Sequence, residues 1–363
     1  MSEKLSFSSD YMDGACPEIM HRLMETNLEQ TVGYGLDPYS EAAKEKIRKA
    51  CNAPDAEIFF LVGGTQTNAT VIDALLQKYQ GVLAAETGHI SVHEAGAIEA
   101  GGHKVLSLPQ KNGKVSASSV RSYLENFYND ANNEHMVMPG MLYISQPTEY
   151  GTLYSKAELS EIKAVCSEYR IPLYADGARL AYALGCPEND VALEDLAAMC
   201  DVFYIGGTKC GALFGEAVVI PKKGLIPHFF TIIKQHGALL AKGRILGLQF
   251  DTLFTDNLYR KIGENAIKTA DRIREILEKN GFPLCFDSPT NQVFCIAENA
   301  ILDKLSSRVE YGFWEHYDDT HTRIRFVTGW ATTMEQVERL EKILVSTGTV
   351  LIDNFLVCQR GRF

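Results

Sequence analysis

Two hydrophobic patterns alternate along the first two-thirds of the chain. Short continuous apolar runs occupy 57–62, 81–86, 104–108, 141–146, 171–176, 202–206 and 216–221. Between them, 67–79, 116–128, 156–169 and 192–199 repeat their apolar side chains at i, i+3 and i+4. A strand covered on both faces has no polar side to alternate, so continuous apolar runs joined by amphipathic helices predict an α/β fold around a mostly parallel, seven-stranded sheet. Ligands of such sheets bind beyond the carboxyl ends of the strands. The segments 63–65, 86–89, Asp176 and 206–209 all fall there.

After about residue 245 the pattern changes. Residues 257–280 read as one long amphipathic helix, 292–297 and 323–327 as strands of a second, smaller sheet, and 334–344 as a last helix with Thr333 as its N-cap and Glu335 and Glu338 in its early turns. The expected organisation is a large domain over 1–245 that includes the N-terminal segment, a small C-terminal α+β domain over 246–345, and a tail over 346–363. The tail is apolar over 350–357 and then basic, and nothing in it assigns a role.

At 46% hydrophobic and 22% charged residues in 363, the composition is that of a soluble globular protein with room for a large core. A formal charge of −11 argues against nucleic acid or an anionic membrane as the main partner, while leaving room for a local phosphate site. No apolar run approaches the roughly 20 residues of a membrane span, and the first residues lack the apolar centre of a signal peptide. Nine scattered cysteines without a CxxC pair read as reduced thiols of a cytoplasmic protein rather than disulfides or zinc ligands. Cys210, beside Lys209, reads as a packing residue.

The chemistry concentrates in two strand ends. Asp176 closes an apolar run in Ile171-Pro-Leu-Tyr-Ala-Asp-Gly-Ala-Arg179, and Lys209 follows another in Val202-Phe-Tyr-Ile-Gly-Gly-Thr-Lys-Cys-Gly211. A lysine amine that condenses with an aldehyde, and a carboxylate that keeps a pyridine nitrogen protonated, are what pyridoxal 5'-phosphate (PLP) needs. Gly63-Gly-Thr-Gln-Thr-Asn68 opens a helix after a strand, where N–H groups and the Thr65 hydroxyl suit a phosphate. His89 stands at the same edge and suits ring stacking or proton relay; His93 and Glu94 are weaker candidates that shape the pocket. His89 and His93 have the i, i+4 spacing of a metal pair, but no third ligand accompanies them. Arg179 is within reach of Asp176, and Arg325 suits bidentate capture of a substrate carboxylate, with Arg323 expected on the opposite strand face. Arg325 also reads as a surface cation on an edge strand. Lys234 and Tyr34 are suggestive only together.

In this order, these residues resemble the low-specificity L-threonine aldolases of the aspartate-aminotransferase superfamily, the fold type I PLP enzymes. The resemblance spans about 6–344. It is carried by Phe7-Ser-Ser-Asp10, Gly14-Ala-Cys-Pro17, Tyr34-Gly, Gly64-Thr65, His89, Glu94-x-Gly96, Gln146-Pro-Thr-Glu-Tyr-Gly-Thr152, Asp176-Gly-Ala-Arg179 and Gly206-Gly-Thr-Lys-Cys-Gly211. It implies that Lys209 forms the internal aldimine, Asp176 pairs with the pyridinium nitrogen, His89 stacks on the ring, and Gly64 and Thr65 bind the phosphate. It also implies that Arg179 lies near the cofactor's phenolic oxygen and the substrate carboxylate, which Ser9 and Arg325 hold. Lys234 and Tyr34 match positions that reach a neighbouring subunit's site, so a homodimer or homotetramer is implied. Two positions depart from the pattern: Thr148 stands where several members have a histidine near the substrate hydroxyl, and Gly63 where a serine is common. That leaves His89, acting through water, and the cofactor phosphate as candidate bases.

The expected reaction is retro-aldol cleavage of L-threonine, L-allo-threonine or another β-hydroxy amino acid to glycine and an aldehyde, through a glycine quinonoid. Rival readings are a PLP-dependent β-eliminating lyase or racemase, a non-catalytic PLP-binding protein, and a doubly wound nucleotide enzyme. The last is disfavoured by the absence of a G-x-G-x-x-G or G-x4-G-K-[ST] sequence after any strand.

Overall fold

The computed structural model describes residues 4–347, so the tail beyond Thr347 lies outside the described residues. Among the described residues the strands are β1 (Leu5–Phe7), β2 (Glu57–Leu61), β3 (Gln80–Ala85), β4 (Val105–Leu108), β5 (Met138–Ser145), β6 (Leu173–Asp176), β7 (Val202–Gly206), β8 (Glu216–Ile220), β9 (Gln292–Glu298), β10 (Val309–His316) and β11 (His321–Val327). Seven form one sheet in the order β2-β8-β7-β6-β5-β3-β4, parallel except for β8, which runs against both neighbours. Strands β7 and β8 are buried at every position, which is why their sequences, Glu216 apart, are apolar without alternation.

The second sheet has the order β1-β10-β11-β9. Its outer strand β1 comes from the N-terminus and pairs in parallel with β10. Leu5 and Phe7 therefore pack with Ile273, Val293, Phe326 and Leu340 in the smaller core, although the sequence reading put them in the large unit. Conversely, Leu246, Phe250 and Leu253 pack in the larger core, although they lie beyond residue 245. The helix Leu258–Lys279 belongs to both: Ile262 and Ala266 face the large core, Ile273 and Ile276 the small one. Its 22 residues span about 33 Å, long enough to tie one unit to the other.

The last helix begins as expected. Gln336 N–H donates to Thr333 Oγ1 at 3.2 Å and Thr333 N–H donates to Gln336 Oε1 at 2.8 Å, a reciprocal cap. Strand β10 escapes hydropathy reading because it is mostly exposed or half-exposed and carries a bulge between Phe313 and Glu315. A correction concerns β11. Arg323 and Arg325 are both half-exposed, and they alternate with buried Thr322, Ile324 and Phe326. A period of two puts i and i+2 on the same face, so Arg323 shares the face of Arg325. Nor is Arg325 on an edge strand, because β11 lies between β10 and β9.

Candidate active site

The carboxyl ends of β6 and β7 meet through glycine. Gly206 N–H donates to Gly177 O at 2.9 Å, and a Cβ on Gly177 would lie 2.0 Å from Tyr204 O. That close approach brings Asp176 and Lys209 to one pocket, lined also by Gly64, Thr65, His89, Thr208 and Glu216.

Asp176 is buried and fully paired. Its Oδ1 accepts from Tyr204 Oη (2.5 Å) and Ala178 N–H (2.9 Å), and its Oδ2 from Tyr143 Oη (2.6 Å) and Asn68 Nδ2 (3.1 Å). Burial alone would raise this carboxyl. The His89 charge and the hydroxyl and N–H donors prevail and hold it below the ordinary carboxylate range, so it stays anionic. Asn68 also donates to Glu94 Oε1 (2.7 Å), to which His89 Nδ1 donates at 2.7 Å. This chain of bonds fixes the imidazole beside Asp176 and assigns its proton to Nδ1 by the chemistry of the partner.

Lys209 sits on the turn between β7 and β8. Burial, and then the Arg179 charge, push its ammonium below the ordinary lysine value, which favours the nucleophilic neutral amine. Beside it, burial pushes the carboxyl of Glu216 up to about 8, against the opposing effects of Thr208, Lys209 and the Gly207 N–H at 3.1 Å. Both groups therefore lean towards their neutral forms. A carboxylate opening a strand that is otherwise wholly apolar was the sequence signal for Glu216, and it went unread.

The helix Gly64–Leu75 starts at this pocket with Gly63 as an N-cap that offers no side-chain bond, so its first N–H groups are open to an anion. A Cβ on Gly63 would meet nothing within 4 Å, so the serine common at this position would fit. An amine, an anionic carboxylate and an uncapped helix start, gathered round one pocket, are the donor set that PLP requires, and the residues fit it.

A second hollow adjoins the first, lined by Tyr11, His89, His93, Glu149, Arg179, Lys209, Phe313, Trp314 and Arg325. Arg179 is less free than the sequence suggested. Its Nε and Nη2 clamp Asp10 at 2.7 and 3.0 Å, and Asp10 also accepts from Asn291 at 2.9 Å. Arg325 has no carboxylate partner among the described residues. Its Nη1 donates to Gln292 Oε1 at 2.8 Å, its guanidinium lies 5.5 Å from the Trp314 ring centre, and its buried Nε is unbonded. Burial, and then Arg179, lower its pKa to about 10, so it remains cationic at neutral pH. Ser9 Oγ is also buried without a partner. Tyr34 and Lys234 are not brought to these pockets; they pair with each other, the Lys234 ammonium 4.6 Å from the Tyr34 ring centre.

The family described as beta-eliminating lyase matches residues 6–300. The chain belongs to the β-eliminating lyase family. Within that family it is 30% identical to the low-specificity L-threonine aldolase of Pseudomonas aeruginosa, over 93% of this chain and 96% of that one. It is 25% identical to the yeast enzyme of the same name over 77% and 72%. A Leishmania major threonine aldolase structure superposes with a TM-score of 0.91 at 41% identity, covering 94% and 98%. Thermus thermophilus aspartate aminotransferase, at 15% identity and TM-score 0.70 over 95% and 92%, shares the fold type I architecture. This β-eliminating lyase family member is thus a PLP-dependent lyase.

Proposed function

We propose that the enzyme cleaves L-threonine, L-allo-threonine and related β-hydroxy amino acids between Cα and Cβ, giving glycine and an aldehyde. The observation that carries this reading is the pairing of the Lys209–Asp176 pocket with an adjoining hollow lined by Arg325, whose buried Nε is unpartnered. The threonine aldolase relatives support it across nearly the whole chain.

When bound, PLP supplies an electron sink for a bond broken at Cα. Lys209 would hold the cofactor through its amine, and Asp176, anionic and buried, would hold a proton on its ring nitrogen. The helix start at Gly64 and Thr65 would take the phosphate, and His89 would face the ring. Arg325 and Ser9 would bind the substrate carboxylate, with Arg179 beside them. Fixing that carboxylate would select which bond at Cα breaks.

In this reading the enzyme works in the cytoplasm as a homo-oligomer. Met20, Met24, Leu28, Val32 and Leu36 are exposed apolar residues of the N-terminal segment that a second copy would cover, bringing Tyr34 and Lys234 to the neighbouring site. Among the described residues no helix is long and apolar enough to cross a membrane.

The test is product analysis with purified, cofactor-loaded enzyme. Acetaldehyde and glycine in equal amounts from L-threonine are expected. Ammonia and pyruvate from serine or cysteine, without acetaldehyde from threonine, would replace this reading with a β-eliminating one.

A further inference from the structure

The cofactor pocket and the substrate hollow share His89, Glu149, Arg179 and Lys209 among their lining residues. Glu149 alone among these has no role so far. It lies on the loop after β5, is buried, and its Oε1 accepts from Ser145 Oγ at 2.6 Å and from the His89 backbone N–H at 2.9 Å. The neighbouring Thr148 hydroxyl is not available as a base. It lies 2.7 Å from Thr152 Oγ1, and Thr152 donates its own proton to Asn112 O at 2.6 Å, so Thr148 is the donor between the two.

We infer that Glu149 is the residue that takes the proton of the substrate's β-hydroxyl; this rests on the retro-aldol reading above. The O–H bond breaks and its proton goes to the Glu149 carboxylate. The O–H electron pair becomes the second C–O bond of the aldehyde, and the Cα–Cβ pair remains on Cα. Cα then takes a proton to complete glycine, and Glu149 loses its own to solvent.

The surroundings suit a base near neutral pH. Burial raises the Glu149 carboxyl and Asp176 raises it further, while Ser145, a backbone N–H and His89 lower it; the net shift is upward. Tyr143 on β5 and Tyr154 also face it, and Arg179, Lys209, His93 and Arg325 line the hollow it opens on. A carboxyl so raised is a stronger base, and activity falls as pH drops through its pKa because the protonated form cannot accept.

The experiment compares wild-type holoenzyme with Glu149→Gln and Glu149→Asp. A glutamine keeps the acceptor for Ser145 and His89, so it removes the proton transfer and leaves the scaffold. Expected for Glu149→Gln are a kcat about 10²–10³-fold lower, little change in KM or cofactor affinity, and loss of the acid limb of the kcat profile. Glu149→Asp should recover part of kcat and keep the limb. Carboxyl carbon-13 NMR of glutamate-labelled protein should show one signal, lost in both variants, that titrates at the midpoint of the wild-type limb. Wild-type activity with Glu149→Gln unchanged in kcat, or with its acid limb intact, would overturn the role of Glu149 alone. So would a Glu149 signal titrating elsewhere. A wild-type enzyme that releases no aldehyde would overturn the function and this step together. If Glu149→Gln does not fold, the carbon-13 signal lost in Glu149→Asp still assigns Glu149, and its titration in the wild type away from the midpoint of the acid limb overturns the role.

Discussion

The two halves of the site differ at their principal charges, Asp176 and Arg325, although the large-sheet half also leaves Glu94 Oε2 and Thr67 Oγ1 buried without partners. On the large sheet, Asp176 receives four hydrogen bonds and His89 is tied to Glu94. On the side closed by the small sheet and the N-terminal segment, Arg325 Nε and Ser9 Oγ are buried without partners. A buried unsatisfied donor costs about 1–3 kcal/mol, and a ligand that satisfies it recovers that cost. In the proposed reading, the large-sheet half would hold one group permanently, and the other half would gain from a carboxylate that comes and goes.

Changes to the satisfied half should do the most damage. Lys209→Ala should abolish turnover and the visible absorption of bound cofactor; a fully active, yellow variant would sink the assignment. Asp176→Asn removes a buried charge partner worth about 3–5 kcal/mol, so kcat/KM should fall by at least about 10²-fold with the fold intact by circular dichroism. In the unsatisfied half, Arg325→Gln should act mainly on KM, raising it about 10- to 100-fold through loss of a charge-assisted pair of about 1.5–3 kcal/mol. An unchanged KM would move the carboxylate site to Arg179.

The remaining tests are smaller. Burial pushes the Glu216 carboxyl up to about 8 in the folded chain, from an ordinary 4.5. The folded chain therefore holds a proton that the unfolded chain releases, and its stabilising effect is complete below pH 4.5 and lost as pH rises towards about 8. The cofactor-free protein should lose stability over that window, and Glu216→Gln should flatten the loss by on the order of 1 kcal/mol, a few degrees in Tm. Calorimetry at pH 5 and 8 reads this directly. Smallest of all, Gly63→Ser should fit without strain and stabilise the helix start by a few tenths of a kcal/mol. A marked loss of stability would show that the space beside Gly63 is not open.

Much of the satisfied half was legible in the chain. Asp176, Lys209, Gly64 and Thr65 follow apolar runs at strand ends, and a strand end is a local feature that hydropathy reports. Glu149 and Glu216 were less so, because a single carboxylate in an apolar context carries no period. Strand β1 is three residues long, too short to show any.

What the sequence determined by itself was the alternation of buried strands and amphipathic helices, and with it the edge where a lysine and an aspartate emerge. Periodicity reports which faces are buried, and that is a property of neighbours in the chain. What only the tertiary structure decided were pairings between distant residues. Asp10 meets Arg179 across 169 positions, and Ser8 approaches Arg325 across 317. Those contacts depend on β1 crossing to the small sheet and on the long helix that carries both cores, and neither leaves a local pattern to read.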